Sequence, residues 1–342
     1  MKPHSTLFIL PLLAAAFLPS PGARAETAAG PYRVARVFHP GGLGGWDYLT
    51  VDADNHLLFV PRGTHTQVLD AATGRVVADI PGQKHNHGVA IAARAGRGFI
   101  SDGGDGSVIV FDLKTYQVLG KIKAAADADG IIYDPASDKV LVVCGDSGFL
   151  VPISPNVDLQ NGSADPEIDL GGNLESVALD GKGRAFVNLA NKDLVAVVDT
   201  KAMKVIAKWP TAPGGSPVGI AIDPIEGHLF VGCRNPKKLI VMSADDGKIL
   251  ADLPIGAGVD ETGFAGDAFA SCRDGTLTVA RETALGRFEV LQTVSTRIGA
   301  RTLGIDPLTR TVYLPTAEFE PSVGKSRPKP KPGTFMVVVV SP

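Results

Sequence analysis

An all-β ring of seven radial blades, a seven-bladed β-propeller, is the fold this sequence predicts, and three observations predict it. First, one phrase recurs along the chain: an apolar strand, a fixed terminal position that is usually Asp, a tight turn, then a second apolar strand. The fixed position falls at Asp52, Ala92, Asp134, Asp180, Asp223, Asp267 and Asp306, with spacings of 40, 42, 46, 43, 44 and 39 residues. A period near 40 built from short strands and Gly/Asp turns marks one propeller blade per repeat. Second, 40 glycines and 25 prolines with only 6% aromatic residues suit an all-β chain rich in tight turns. Third, the last repeat runs out of chain after three strands, while an unassigned strand precedes the first repeat.

In chain order, residues 1–25 read as a cleavable export signal. Lys2 and His4 precede an apolar run from Leu7 to Phe17, and Ala23-Arg24-Ala25 offers a small-x-small cleavage site before Glu26. The run is too short to span a bilayer, and a periplasmic or secreted bacterial protein is expected. Residues 31–342 then form a single propeller domain. Its opening strand, Tyr32 to Phe38, is expected to serve as the outer strand of the last blade and to close the ring, so deleting residues 31–39 should severely destabilise the protein. Blade one reads Tyr48–Asp52, Leu57–Pro61, Gln67–Asp70 and Arg75–Ile80 as strands a to d, from the axis outward. The c–d turn Asp70 to Gly74 recurs as Phe111 to Thr115, Val198 to Lys201 and Ala244 to Lys248, placing Asp and Gly where a tight turn wants them. Three segments break the period: Ser154 to Pro166 in the c–d turn of blade three, Glu282 to Arg287 in that of blade six, and Glu320 to Gly333 in the b–c turn of blade seven. The last carries Lys325, Arg327, Lys329 and Lys331 among four prolines and is expected to be extended and mobile.

Radial repeats tolerate a length of 342 residues because each blade packs only on its neighbours. Hydrophobic content of 44% excludes a disordered chain. Removing residues 1–25, which hold Lys2 and Arg24 and no acid, takes the formal charge from −3 to −5, which gives no general attraction for nucleic acid. Cys144, Cys233 and Cys272 share one slot of three different blades, too far apart for disulfides, and read as small buried apolar residues. Metal-type Cys-x-x-Cys spacing is absent.

Residues just before strand a should crowd the channel mouth. Five positions before each repeat position stand Asp47, His87, Asp129, Glu175, Val218, Thr262 and Arg301. Seven before stand Gly45, His85, Asp127, Asn173, Ser216, Asp260 and Gly299. Side chains two apart on an extended strand point the same way, so two stacked polar rings are expected. Glu261 adjoins them. Carboxylates and imidazole at a narrow opening suit a divalent cation, with Asp47, His87, Asp129 and Glu175 as candidate ligands. Turn capping by the same aspartates is the structural alternative. Arg62, Arg234 and Arg273 share the first b–c position of their blades and could orient an anionic ligand or pair with neighbouring acids. Trp46 could stack a ligand or pack between blades. Asp102 to Gly106 looks like a calcium-loop fragment but lacks the distant Glu. No nucleophile elbow or Ser-His-Asp grouping is present.

Phrases such as Val60-Pro61-Arg62-Gly63-Thr64-His65, Gly106-Ser107-Val108-Ile109-Val110-Phe111-Asp112, Asp274-Gly275-Thr276-Leu277-Thr278-Val279 and Gly299-Ala300-Arg301-Thr302 resemble those of the YncE-like, or YVTN-repeat, seven-bladed propellers. The resemblance spans residues 31–342, although the Tyr-Val-Thr-Asn tetrapeptide itself is absent. It implies a propeller and an exported location, and it carries over no catalytic residues. The leading expectation is a binding or interaction module that uses the mouth face for a small ligand or a periplasmic protein. It is expected to be monomeric and without a membrane span. A metal-dependent hydrolase of lactonase type is the alternative, and nucleic-acid binding a distant third.

Overall fold

A computed structural model describes Met1, residues 32–321 and residues 328–342. The expected export signal, Lys325 and Arg327 lie outside the described residues. Seven four-stranded antiparallel sheets form the blades. Blade one holds β2 (Thr50–Asp52), β3 (Leu57–Pro61), β4 (Thr66–Asp70) and β5 (Val76–Ile80). Blade two holds β6 (Asn86–Ala92), β7 (Arg97–Asp102), β8 (Ser107–Asp112) and β9 (Val118–Lys123), and blade three β10 (Ala128–Asp134), β11 (Lys139–Cys144), β12 (Phe149–Ile153) and β13 (Ile168–Asp169). Blade four holds β14 (Leu174–Leu179), β15 (Arg184–Leu189), β16 (Leu194–Asp199) and β17 (Lys204–Pro210), and blade five β18 (Pro217–Asp223), β19 (His228–Cys233), β20 (Lys238–Ser243) and β21 (Ile249–Pro254). Blade six holds β22 (Val259–Phe264), β23 (Ala268–Cys272), β24 (Thr276–Ala284) and β25 (Arg287–Ser295).

Blade seven is built from both ends of the domain. Its strand order is β26 (Gly304–Asp306), β27 (Thr311–Thr316), β28 (Met336–Ser341) and then β1 (Arg33–Phe38). The register pairs Arg33 with Ser341 and Phe38 with Val337. Ring closure by the N-terminal strand, as the sequence predicts, hides the edge that β28 would otherwise expose. Side chains lock the seam. The Tyr32 hydroxyl donates to Asp267 Oδ2 at 3.0 Å, and Phe38 stacks on Tyr313 with ring centroids 6.5 Å apart.

Position within the blade explains the burial pattern. Strands b and c are covered by neighbouring blades on both faces, so β7, β11, β15 and β19 bury nearly every residue. Outer strands meet solvent on one face, and β17 alternates strictly between exposed and half-buried positions. The periodic aspartates prove to be turn caps. Asp52 Oδ1 accepts from Asn55 N at 3.1 Å, Asp180 Oδ1 from Lys182 N at 2.7 Å, Asp223 Oδ1 from Ile225 N at 2.9 Å and Asp306 Oδ1 from Leu308 N at 2.9 Å. Asp267 is the exception. It follows the end of β22 and instead ion-pairs with Arg281 while accepting from Tyr32.

Blade six is irregular where the sequence predicts it, within a paired hairpin: the register of β24 and β25 slips between Glu282 and Ala284, and the strands end at Ala284 and Arg287 around a turn at Leu285 and Gly286. One irregular segment departs from expectation. The stem of the blade-seven insertion is a short ladder and not a free extended run. Glu320 N donates to Lys329 O at 2.9 Å, and Lys331 N donates to Glu318 O at 2.7 Å. Cys144, Cys233 and Cys272 are buried and unpaired, as expected, and burial pushes each thiol up to about 12. Among the described residues no helix is long and apolar enough to cross a membrane.

Candidate functional site

Strand a of five blades carries a β-bulge where it reaches the channel mouth. The register slips between Asn86 and Val89, Ala128 and Ile131, Leu174 and Val177, Pro217 and Gly219, and Val259 and Glu261. Bulges re-aim side chains, and the re-aimed residues are His87, Asp129, Glu175, Val218 and Asp260. Asp47 and Arg301 hold the matching positions of blades one and seven. Hydroxyls of adjacent blades pin this backbone. Ser101 Oγ donates to Asp129 O, Ser271 Oγ to Arg301 O, and Thr302 Oγ1 to Asp47 O at 3.0 Å.

The structure therefore corrects the expected first ring in blade six. Asp260, not Thr262, fills the slot, because Asp267 lies past the end of its strand and miscounts the register. Thr262 instead donates to Phe230 O at 3.1 Å. The expected second ring does not form. Asp127 and Ser216 adopt left-handed backbone, with φ of 59° and 50°, so the two-apart rule fails there. Asp127 turns to accept from Asp146 N at 3.1 Å, and Asn173 exchanges hydrogen bonds with Asn191. His85 stays beside the ring, its imidazole edge-on to that of His87 at 4.5 Å.

Around the axis the ring is a nearly closed circle of charges. Arg301 lies 3.8 Å from Asp47 Oδ1. His87 Nδ1 bonds Asp47 Oδ2 at 2.8 Å and lies 3.1 Å from Asp129 Oδ1. Val218 contributes no charge in blade five, and Arg234 from its b–c turn fills that place. It contacts Asp260 and lies 3.9 Å from Glu175 Oε1. Asp260 also contacts Arg301. The circle has one break: among the described residues no cation bridges Asp129 to Glu175.

That break has electrostatic consequences. Burial is the main cause raising the Asp129 carboxyl to about 8; His87 opposes the rise, and Asp47 and Glu175 add to it. Burial likewise raises Glu175, with Arg234 opposing. Burial alone would depress His87, but the Asp47 bond and the Asp129 charge outweigh it and hold the imidazole above its ordinary value. Asp129 keeps 20% of its side chain exposed, yet its Oδ1 is buried, so desolvation still dominates. His87 Nε2 and Asp129 Oδ1 are buried without a hydrogen-bond partner. Gly103 leaves the hollow beside that nitrogen, since a Cβ there would sit 2.9 Å from His87 Nε2 and 3.4 Å from Asp127 Oδ1. This is the role of the glycine-rich turn after Asp102. Asp102 itself accepts from Lys84 N and His85 N, both at 2.8 Å.

Glu261 lies one step farther down the channel than the mouth position expected for it. It accepts from Leu303 N at 2.7 Å and, with Tyr48, lines an axial cavity of about 130 Å³. Burial raises both groups well above their usual range. The three arginines of the shared b–c slot have three fates. Arg62 is not a mouth residue: it is fully buried, donates to Gly41 O at 2.8 Å, Gly45 O at 2.9 Å and Gln67 Oε1 at 2.6 Å, and covers the Phe335 ring at 3.7 Å. Arg234 belongs to the ring. Arg273 lines a separate cavity of about 440 Å³ beside it. Trp46 packs against Phe319 and Phe335 at 6.1 and 5.9 Å, so its packing role holds.

Asp47, His87 and Asp129 each present a donor atom within 4.8 Å of the other two, so three of the four expected cation ligands converge. Glu175 is held across the break by Arg234. The serines at the mouth were not singled out in the sequence. Ser101 and Ser271 occupy the same penultimate position of strand b, a coincidence that the repeat alignment contains.

No family model and no curated protein matches the sequence. Solved structures do resemble the fold. One is titled Kuenenia stuttgartiensis hydrazine synthase, with a TM-score of 0.68 and 15% identity, covering 80% of this chain and 92% of that one. Another is titled as the WD40 repeats of RRP9, with a TM-score of 0.71 and 11% identity, covering 92% of this chain and 98% of that one. What these likenesses show is the fold, a WD40-like seven-bladed β-propeller.

Proposed function

We propose that this protein is a binding module that takes its ligand on the mouth face, with a divalent cation seated between Asp47, His87 and Asp129. The observation that carries the reading is the break in the charged ring. Four carboxylates (Asp47, Asp129, Glu175 and Asp260) face two guanidiniums and one imidazole, so ionised acids would outnumber the cations, and the metal-free ring relieves the excess by holding protons on Asp129 and His87. A divalent ion taking the place of those protons supplies the missing charge. The separations of 2.8 and 3.1 Å from His87 Nδ1 to the two carboxylate oxygens also suit adjacent ligands. Donors about 2.1 Å from one ion and at right angles are about 3.0 Å apart. Two oxygens and one imidazole favour manganese, zinc, nickel or iron over calcium, which prefers six or more oxygens.

A lactonase-type hydrolase is the second reading, favoured by the same three ligands, since a three-ligand ion keeps open positions for water. Membership of the YncE-like family and export to the periplasm accompany the proposal; the repeat phrases and the leader-like residues 1–25 support them. Metal analysis of protein purified without chelator tests the cation reading. About one ion per chain, lost in Asp129→Ala, is the expected result. Substoichiometric metal together with no thermal shift on adding manganese, zinc or nickel would remove both the cation and the hydrolase.

A further inference from the structure

Beside the ring lies a cavity of about 440 Å³, within the size range of small-molecule sites. Its walls come from three loops of the mouth face. Trp46 precedes blade one, Ile298 and Arg301 precede blade seven, and Phe319 and Pro330 belong to the paired stem of the blade-seven insertion. Arg273 of blade six closes the remaining side. Phe319 is held in place from below: a Cβ on Gly299, whose φ is 84°, would sit 2.4 Å from its ring. Ile298, 68% exposed, adds an apolar side chain to the rim.

We infer that this cavity binds a small organic anion, a carboxylate carried on a flat apolar body. The rings of Trp46 and Phe319, which meet at 66°, supply the apolar walls. Arg273 and Arg301 bring guanidiniums to one side, Arg301 while contacting Asp260, and guanidinium groups match carboxylates in geometry. Glu320 is the one acid among the lining residues and opposes this charge from the rim. Arg301 also belongs to the charged ring, so the two sites share a wall while their ligands differ in sign. The inference does not depend on the cation reading.

Phenylpropionate and its neutral amide are suitable probes. In a Trp209→Phe background Trp46 is the only indole, so its emission reports on this cavity. Calorimetry should show one saturable phenylpropionate site with a dissociation constant of about 1 mM or tighter. Trp46 emission should change with the same midpoint, and the amide should bind about tenfold more weakly. Arg273→Gln and Phe319→Ala should each weaken binding about fivefold or more, and Glu320→Gln should tighten it. Unchanged melting of each variant excludes loss of fold as the cause. Equal binding of acid and amide, no saturation, or affinity indifferent to Arg273→Gln overturns the inference. Asp129→Asn should change phenylpropionate binding less than Arg273→Gln does. If it alone abolishes binding, the anion sits in the ring, and this cavity proposal fails while the mouth remains a binding face.

Discussion

Blades one to four and blades five to seven fill the same backbone slot with different chemistry. In the second group every charge is answered: Asp260 is held between Arg234 and Arg301, and Val218 is neutral. In the first group Asp47 and Asp129 share a single imidazole, and Glu175 beyond them has only the distant Arg234. The difference arises from whether a b–c turn or a neighbouring blade sends a guanidinium into the ring. One arc is therefore an internally satisfied brace, while the other stores unfavourable charge that a cation would relieve. Storing such charge is typical of a binding site and costly in a purely structural one.

Breaking the braced arc should have the largest effect. Asp260→Ala leaves two arginines without their shared partner and should destabilise the protein by about 3 kcal/mol, measured by denaturant unfolding. A loss below about 1 kcal/mol would show that the brace is merely a solvated surface pair. Gly103→Ala comes next. Its methyl would press on His87 Nε2, so a cost of about 1–2 kcal/mol is expected, together with weaker cation uptake, while the Asp260 contacts stay intact.

The pH response sharpens the same contrast. Asp129, Glu175, Glu261 and His87 all hold protons more tightly folded than unfolded. Their contribution is therefore fully present at low pH and is lost as pH rises through the folded values, which for Asp129 means up to about 8. Metal-free protein should melt several degrees lower at pH 8 than at pH 5, and Asp129→Asn should flatten that slope. A profile that rises across this window would contradict the stored-charge picture. The smallest effect is expected from Asp129→Asn at neutral pH, which should be stabilising or neutral by up to about 1 kcal/mol, opposite in sign to Asp260→Ala.

Much of the fold was legible because blade turns are local. Asp52, Asp180, Asp223 and Asp306 cap turns that begin beside them, so their spacing shows through the sequence. The closing strand was legible because a missing partner at one end matched a spare at the other. Legibility failed where a residue's role is set from outside its repeat. Asp267 answers Arg281 and Tyr32, and counting from it misplaced Asp260. Arg62 shares a slot with Arg234 but is drawn inward by the carbonyls of Gly41 and Gly45. The second ring failed because a left-handed turn at Asp127 is not visible in an alternation pattern.

Calorimetric titration of manganese into metal-free protein, beside the Asp129→Ala/Glu175→Ala double variant, tests the open arc most directly. One site per chain in the parent protein, absent from the double variant while its fold persists, is the predicted result. No uptake by the parent, or the same uptake by both proteins, would contradict it.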